Sequence, residues 1–342
     1  MALNRSLILL ICLTLMTSCQ HLVTKAEANN VTVQMKRLMI QPDFLRKGDS
    51  VAIVAPSGVL LGKSREIDQA VDLLKSWGLH PVVGPHVFNQ NGHFAGTDDE
   101  RAADLQKALD NPNIKAIWCA RGGYGTVRVI DRLDYSKFKV NPKWLIGYSD
   151  ITALHNELHN EGYQTIHALM CTSLTEDLSE IKENIESLEN AIFGKDLKYT
   201  FSGSLNNRIG KVTAPVIGGN LTMLHTMLGS KTSINTNGKI LVFEEIGEYA
   251  YHIDRMLQSL KRAGYFNDLK GIIVGDISRV RQNTTEFGRS IEEIILDAVA
   301  DYDFPVAFDA PVGHEEENRA LILGATIDLN VGKEESSISF KK

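Results

Sequence analysis

The chain alternates short, continuous apolar runs with longer segments whose apolar residues recur at helical spacing. Five runs in the first half predict buried strands: SVAIVAPSG, HPVVG, IKAIWCA, KWLIGY and YQTIHAL. Helices are predicted between them: Ser64 is expected to cap the first, and Thr97 with Glu100 forms a capping-box pattern before RAADLQKAL. Buried strands alternating with helices indicate a parallel sheet that helices cover on both faces.

The second half is richer in strand-like runs, among them GKVTAPVI, KILVFEEI, GIIVGDI, PVAFDAPV and RALILGATIDLNV. We therefore predict an α/β protein with an N-terminal doubly wound parallel-sheet domain over residues 43–172. A smaller, strand-rich α+β domain of barrel-like form is predicted over residues 208–335. Residues 173–207 are charged and polar with a modest helical period, which is typical of a connector between domains.

The N-terminus has the pattern of an export signal. Arg5 precedes an apolar stretch over residues 7–16, which is too short to span a membrane comfortably, and small residues follow. We predict a signal peptide over residues 1–18 and a tether over 19–42. The ending MTSC resembles a bacterial lipobox, so Cys19 is the expected lipidation site. The alternative is conventional cleavage nearby. Either way the protein is expected to be exported, as a membrane-anchored lipoprotein in the first case, facing the periplasm or cell wall.

Composition excludes one class of partner and leaves the cysteines without a special role. The 342 residues are 43% hydrophobic and carry a formal net charge of −6, so no global basic field favours nucleic acid. Beyond the signal only Cys119 and Cys171 remain, and one potential pair is not a disulfide framework. Both are predicted to be small core residues.

Three polar segments follow predicted strands: PSG, RGGYG and GYSD. In a parallel sheet, ligands bind beyond the carboxyl ends of the strands, so these segments are expected to meet at one site. The glycines of RGGYG allow a phosphate cradle or an oxyanion donor, but the loop lacks either nucleotide-binding pattern. GGN, at residues 218–220, is compatible with a simple tight turn.

Ser149 in GYSD has two interpretations. A nucleophilic serine typically lies in G-x-S-x-G on a strained turn between strand and helix, and here Ile151 replaces the second glycine. Alternatively, Ser149 or Asp150 caps the helix DITALHNEL. The motif by itself slightly favours the cap.

A nucleophilic serine needs a base and a carboxylate that orients it. His155 and His159 lie four apart, but the glutamate in HNELH is misplaced for a zinc site, so they are predicted to be helix-face residues. His314 is on a loop after a strand and can point into a cleft or into solvent. Glu244 and Glu245 interrupt an apolar strand, where alternation is expected to turn one of them inward.

Taken together, six segments resemble the LD-carboxypeptidase family of serine peptidases, in family order over residues from about 45 to 330. They are GDSVAIVAPSG, ARGGYGTVRVIDRLDY, LIGYSDITAL, PVIGGNLTMLHTMLGS, ILVFEEIGEYAYHIDRML and PVGHEEENRALILGATIDL. The resemblance implies a Ser-Glu-His triad of Ser149, Glu244 and His314 at a domain junction, no metal or other cofactor, and a homodimer. Two features depart from the family: Glu315 stands where glycine is common after the histidine, and the family is mainly cytoplasmic.

The implied reaction removes the terminal D-alanine from peptidoglycan tetrapeptides, at the bond to an L-centre of a diamino acid. The N–H groups of Asp150 and Gly123 are the expected oxyanion donors, and Arg121 is the candidate for binding the substrate carboxylate. One alternative is a related serine peptidase that cleaves a peptide-nucleotide antibiotic. Another, from a different class, is a non-catalytic periplasmic binding lipoprotein.

Overall fold

The computed structural model describes residues 39–282 and 284–341. Residues from Met39 onward form one compact unit. The predicted signal peptide, most of the tether and Cys19 lie outside the described residues. Within the described part, no helix is long and apolar enough to cross a membrane.

The first sheet is built largely from the first half of the chain. Its strands are β1 (Ser50–Val54), β2 (His80–Val83), β3 (Ile114–Cys119), β4 (Trp144–Gly147) and β5 (Thr165–His167). The helices here are α1 (Ser64–Ser76), α2 (Asp98–Asp110), α3 (Thr126–Val129), α4 (Ser136–Val140) and α5 (Thr152–Asn160). The strands run parallel in the order β5-β4-β3-β1-β2, so the predicted parallel sheet is confirmed.

The second sheet has seven strands. They are β6 (Lys198–Ser202), β7 (Gly210–Asn220), β8 (Ile240–Ile246), β9 (Gly271–Ser278), β10 (Val306–Ala307), β12 (Thr326–Val331) and β13 (Glu335–Phe340). Their order is β10-β9-β8-β7-β12-β13-β6, with β7 to β10 parallel and the rest antiparallel. This order has two different edge strands, so the barrel-like form is not confirmed for the described strands.

The remaining elements tie the two halves together. The helices are α6 (Lys182–Ile192), α7 (Leu221–Thr226), α8 (Ala250–Arg262) and α9 (Ile291–Ala298). Strand β11 (Leu321–Leu323) comes from the C-terminal half, yet it pairs antiparallel with β5 of the first sheet. The predicted domain boundaries stay a prediction.

One hydrophobic core lies between the sheets. Alternate residues of β1 pack on opposite faces: Val51 and Ile53 join a cluster that also contains Val216 and Val242 of the second sheet. The next residues along β1 pack into a separate cluster beneath the helices of the other face. Because both sheets bury a face in the same cluster, removing water from that cluster stabilises their mutual arrangement.

The structure confirms one of the two predicted helix caps and changes the interpretation of the connector. The capping box of Thr97 and Glu100 is confirmed at the start of α2. The cap predicted for Ser64 is wrong, because Lys63 is at the N-cap and no side chain caps α1. The predicted connector contains α6, whose residues Leu188, Ala191 and Ile192 are buried in the shared core. It is therefore a packed part of the compact unit.

Candidate active site

A cleft of about 1010 Å³ lies where the carboxyl ends of parallel strands from both sheets meet. The segments after β3, β4 and β5 form one wall, and the ends of β8 and β9 with the loop around His314 form the other. Ser149, His314, Arg121 and Gly123 all line this cleft. Four predicted site residues are thus brought together, as expected for ligands beyond the carboxyl ends of strands.

Ser149 lies on a sharp turn between β4 and α5. Its φ of +62° is in the left-handed region, which costs a residue with a side chain about 1–3 kcal/mol. The preceding Gly147 leaves no room for a side chain, since a Cβ there would lie 2.9 Å from a side-chain carbon of Ile151. This strand-turn-helix arrangement, with strain at the serine, is the one that presents a nucleophile.

The alternative interpretation of GYSD as a helix cap is wrong. No side chain caps α5 or the 3-10 turn Ser149–Ile151 that leads into it. The Asp150 carboxylate, which is 2% exposed, instead accepts hydrogen bonds from Ser57 Oγ at 2.6 Å and from the Thr126 N–H at 2.8 Å. It therefore ties together the three segments that follow β1, β3 and β4.

His314 is oriented by a buried carboxylate. Its Nδ1 lies 2.6 Å from Glu244 Oε2, and the two side chains are 13% and 0% exposed. An ionised carboxylate only accepts, so Nδ1 donates and Nε2 keeps its lone pair when the ring is neutral. Burial by itself would lower the pKa of His314, but the hydrogen bond and charge of Glu244, helped by Asp276 and Glu245, raise it above the ordinary value.

Both glutamates of EEIGE are buried, because packed cores cover both faces of β8: Ile240 and Val242 join one hydrophobic cluster, and Leu241 and Phe243 join another. The expectation that alternation turns one of them inward is confirmed for Glu244, and Glu245 is buried as well. Alternation still gives them different partners: Glu245 accepts from the N–H groups of Thr222 at 2.7 Å and Ile246 at 2.8 Å. Burial raises the pKa of Glu245. Its contacts fix the start of α7 and give it a structural role.

GGN belongs to the packing between the two sheets. Gly219 has a φ of +141°, and a Cβ there would clash with the side chain of Thr152 at the start of α5. The Asn220 N–H donates to Thr152 Oγ1 at 3.0 Å. The motif therefore brings β7 against the helix that follows Ser149.

The loop that carries His314 is held by Asp276 of β9. The Asp276 carboxylate accepts from the Glu315 N–H at 3.0 Å, and a side chain on Gly313, whose φ is +142°, would collide with that carboxylate. Burial raises the pKa of Asp276 to about 6. Glu315 thus contributes its backbone to the loop while its side chain is exposed, which accommodates the departure from glycine.

RGGYG packs against PSG beside the serine. The Gly58 N–H donates to the Gly122 carbonyl at 3.0 Å, and Gly123 has a φ of +101°. Arg121 lines the cleft but uses Nη1 to donate to the Val59 carbonyl. Sequence reasoning singled out Gly123, whereas Gly122 contacts the serine more closely.

Alanine at position 122 is expected to lower kcat several-fold, by less than the roughly 10²-fold cost of a 1 Å displacement, because Ser149 must shift by a few tenths of an ångström to make room. A Cβ there would lie 3.1 Å from Ser149 Cβ and 3.3 Å from Ser149 Oγ. Steady-state kinetics measures the loss. Gly271→Ala is the matched control, since its Cβ would meet its nearest atom at 3.3 Å, a similarly tight contact, in the second sheet. Equal effects of the two changes would contradict this explanation.

The other candidates have structural positions. On α5, His155 is buried and His159 is half-buried, loss of solvent lowers the pKa of each to about 4, and His155 Nε2 lies 2.9 Å from the Gly147 carbonyl. Cys119 and Cys171 are free and buried, as predicted. Among residues 39–282 and 284–341, no cluster of three or more acidic, histidine or cysteine side chains has an arrangement that could hold a metal ion.

Sequence reasoning missed several polar residues that line the cleft, among them Asn184, Asn318 and Arg279. Asn184 of α6 accepts from the Asn318 N–H at 2.9 Å, and both side chains line the cleft although they are about 5% exposed or less. Arg279, directly after β9, is the third. Its position directly after a predicted strand could have marked Arg279 as a candidate site residue. Placing it at this cleft, however, required the order of strands in the second sheet.

Two domain models of one peptidase family match the chain. Residues 51–168 match the LD-carboxypeptidase N-terminal domain, and residues 213–329 match the LD-carboxypeptidase C-terminal domain. The chain is 33% identical over 306 residues to a probable murein peptide carboxypeptidase of Bacillus subtilis, covering 88% of this chain and 95% of the relative. It is 31% identical over 288 residues to the murein tetrapeptide carboxypeptidase of Pseudomonas aeruginosa, covering 82% and 92%.

Solved structures share the fold. A muramoyltetrapeptide carboxypeptidase from Oxalobacter formigenes superposes with a TM-score of 0.77 at 26% identity, covering 86% of this chain and 99% of that one. A microcin C7 self-immunity protein superposes with a TM-score of 0.78 at 24% identity, covering 89% and 99%, which shows the fold alone. The two family models together match more than half of the chain, and both relatives are more than 30% identical to it over most of their length. The chain therefore belongs to the LD-carboxypeptidase family of peptidases.

Proposed function

We propose that this protein is a serine-type LD-carboxypeptidase that removes the terminal D-alanine from peptidoglycan tetrapeptides. The observation that carries the proposal is the 2.6 Å hydrogen bond between His314 and the buried Glu244, beside a cleft that Ser149 enters from a strained turn. The relatives named as murein peptide and murein tetrapeptide carboxypeptidases support the substrate class.

In the proposed mechanism His314 acts first as a base and then as an acid. Nε2 takes the proton of Ser149 Oγ, and Oγ attacks the carbonyl carbon of the bond to D-alanine. Glu244 holds Nδ1 and stabilises the imidazolium. His314 then protonates the leaving amine, D-alanine departs, and water attacks the ester on Ser149 with His314 again as base.

The oxyanion is proposed to bind backbone N–H groups at the end of the first sheet. Asp150 directly follows the nucleophile, and its buried carboxylate fixes that backbone through Ser57 and Thr126. Gly123 lines the same cleft from the neighbouring loop. Each such donor is worth about 3–4 kcal/mol of transition-state stabilisation.

Two features bear on the alternatives. The microcin immunity proteins share less than 25% sequence identity with this chain. They therefore support the fold but not the cleavage of a peptide-nucleotide. A binding lipoprotein would need no histidine held by a buried carboxylate beside a strained serine. The carboxypeptidase proposal accounts for that costly arrangement.

D-alanine release from a purified tetrapeptide tests the function. Wild-type protein should release D-alanine from the tetrapeptide and leave a pentapeptide ending in D-alanyl-D-alanine intact. A peptidyl nucleotide incubated in parallel tests the alternative. Cleavage of the nucleotide substrate with no release from the tetrapeptide would contradict the proposal.

The place of action is a separate proposal, that Cys19 is acylated and anchors the protein outside the cytoplasm. Cys19→Ala is expected to move the protein from the membrane fraction to the soluble or secreted fraction and to abolish incorporation of labelled fatty acid. The fraction that contains the protein is measured by immunoblot. If Cys19→Ala stays in the membrane fraction and the wild type incorporates no labelled fatty acid, lipidation of Cys19 is contradicted. The homodimer likewise stays a prediction.

A further inference from the structure

A carboxypeptidase has to distinguish a free terminal carboxylate from an internal amide, and two guanidinium groups line the cleft, those of Arg121 and Arg279. Arg121 donates to the Val59 carbonyl on the wall of the cleft. Within residues 39–282 and 284–341, Arg279 forms no ion pair with a carboxylate. Arg279 is therefore the better-placed cation for a substrate anion.

The backbone of Arg279 is strained and held in place. Its φ of +49° is in the left-handed region, where a residue with a side chain is disfavoured. The Gly247 N–H donates to the Ser278 carbonyl, and the Arg281 N–H to the Glu248 carbonyl, each at 2.9 Å. These bonds tie both sides of Arg279 to the segment that continues from β8, the strand of the proposed catalytic carboxylate. Glycine would relieve the strain, so an arginine here indicates that the side chain is needed.

Arg279 is near the proposed reacting groups. Arg279 lines the same cleft as Ser149 and His314, and although burial raises the pKa of Tyr148, the charge of Arg279 acts to lower it. The Tyr148 ring is 4.8 Å from that of His314. Glu315 and Glu316 line the cleft on the same wall as Arg279, and Glu315 shares a second cavity with Arg279. A substrate carboxylate would be repelled by these two side chains and attracted to Arg279.

We propose that Arg279 binds the C-terminal carboxylate of the peptide substrate and so restricts the enzyme to the last bond of the chain. A guanidinium can donate two parallel hydrogen bonds to a carboxylate, and it keeps its charge at every physiological pH. The inference rests on the proposed function and adds its specificity-determining residue. It replaces Arg121 in that role.

The test is binding in a Ser149→Ala background, in which the ligand is not consumed. Calorimetry compares a tetrapeptide with lysine as the diamino acid and a terminal D-alanine with the same peptide ending in a carboxamide. The acid should bind about 100-fold more tightly than the amide, typical of a charged hydrogen-bonded pair. Arg279→Gln should abolish this preference, weakening the acid about 100-fold and leaving the amide within about threefold.

Three further variants make the result decisive. Arg121→Gln should keep the preference for the acid, and Arg279→Lys should keep part of it. Arg279→Gly should lose it while the melting temperature stays level or rises, since glycine removes the strain at φ +49°. A preference that survives Arg279→Gln, or that disappears with Arg121→Gln alone, would overturn the assignment. A wild type that prefers the acid yet releases no D-alanine would contradict only the proposed function.

Discussion

Alanine in place of Ser149 is expected to lower kcat for D-alanine release by roughly 10⁴- to 10⁶-fold, as for other serine peptidases that lose their nucleophile. In the proposed mechanism Oγ forms the covalent bond to the substrate, which an alanine side chain cannot do. The fold should be unaffected, because alanine at φ +62° bears the same backbone strain as serine. Chromatographic assay of released D-alanine at high enzyme concentration measures the loss, and thermal unfolding checks the fold.

Ser173 supplies the matched control. It lines the same cleft, and its Oγ lies 3.4 Å from the Tyr148 hydroxyl. Ser173→Ala removes an equal volume without touching the proposed chemistry, so kcat should stay within about threefold of wild type. Loss of activity in Ser173→Ala with full activity in Ser149→Ala would contradict the assignment of the nucleophile.

Glutamine in place of Glu244 is expected to lower kcat by about 10³- to 10⁴-fold while the protein stays folded. The amide keeps the size of the carboxylate, but it can donate to His314 Nδ1, which would place the imidazole proton on Nε2. In that tautomer Nε2 cannot accept the serine proton. Steady-state kinetics on the tetrapeptide measures the loss.

The pH profile of the same variant adds a readout that a purely structural residue would not change. A general base must be neutral, so activity rises as pH increases through the pKa of His314. Glu244 raises that pKa by stabilising the imidazolium. In Glu244→Gln the acid limb should therefore move to lower pH, even though the maximum rate falls. Glu245→Gln is the comparison: its main contacts are with the start of α7, and its charge raises the pKa of His314 less than Glu244 does, so it should chiefly lower stability and move the limb less than Glu244→Gln. An unmoved limb in Glu244→Gln would contradict the proposed pairing.

The meeting of PSG, RGGYG and GYSD could be predicted because apolar runs marked β1, β3 and β4 as buried parallel strands. Their carboxyl ends necessarily share one edge of the sheet. The strained turn at Ser149 was only one of two interpretations of GYSD, since the motif by itself slightly favoured a helix cap. Pairing Glu244 and His314 required the family resemblance, since spacing by itself does not relate residues that are 70 positions apart.

Long-range pairing accounts for what the sequence could not predict. RALILGATIDLNV is a single apolar run, yet the chain turns at Gly324, where φ is +89°, so β11 joins the first sheet and β12 the second. Both glutamates of β8 are buried because packed cores cover both faces of the strand, which alternation does not reveal. That Arg279 and α6 line the cleft could be recognised only from the order of strands and the packing between the sheets.

The central claim is that Ser149, His314 and Glu244 act as one catalytic unit. Its most direct test is kcat for D-alanine release by His314→Ala, Glu244→Gln and the double variant, measured together. Glu244 is proposed to act only through His314, so the double variant should be no slower than His314→Ala. If the two losses multiply instead, or if Glu244→Gln is as active as wild type, the proposed unit is contradicted.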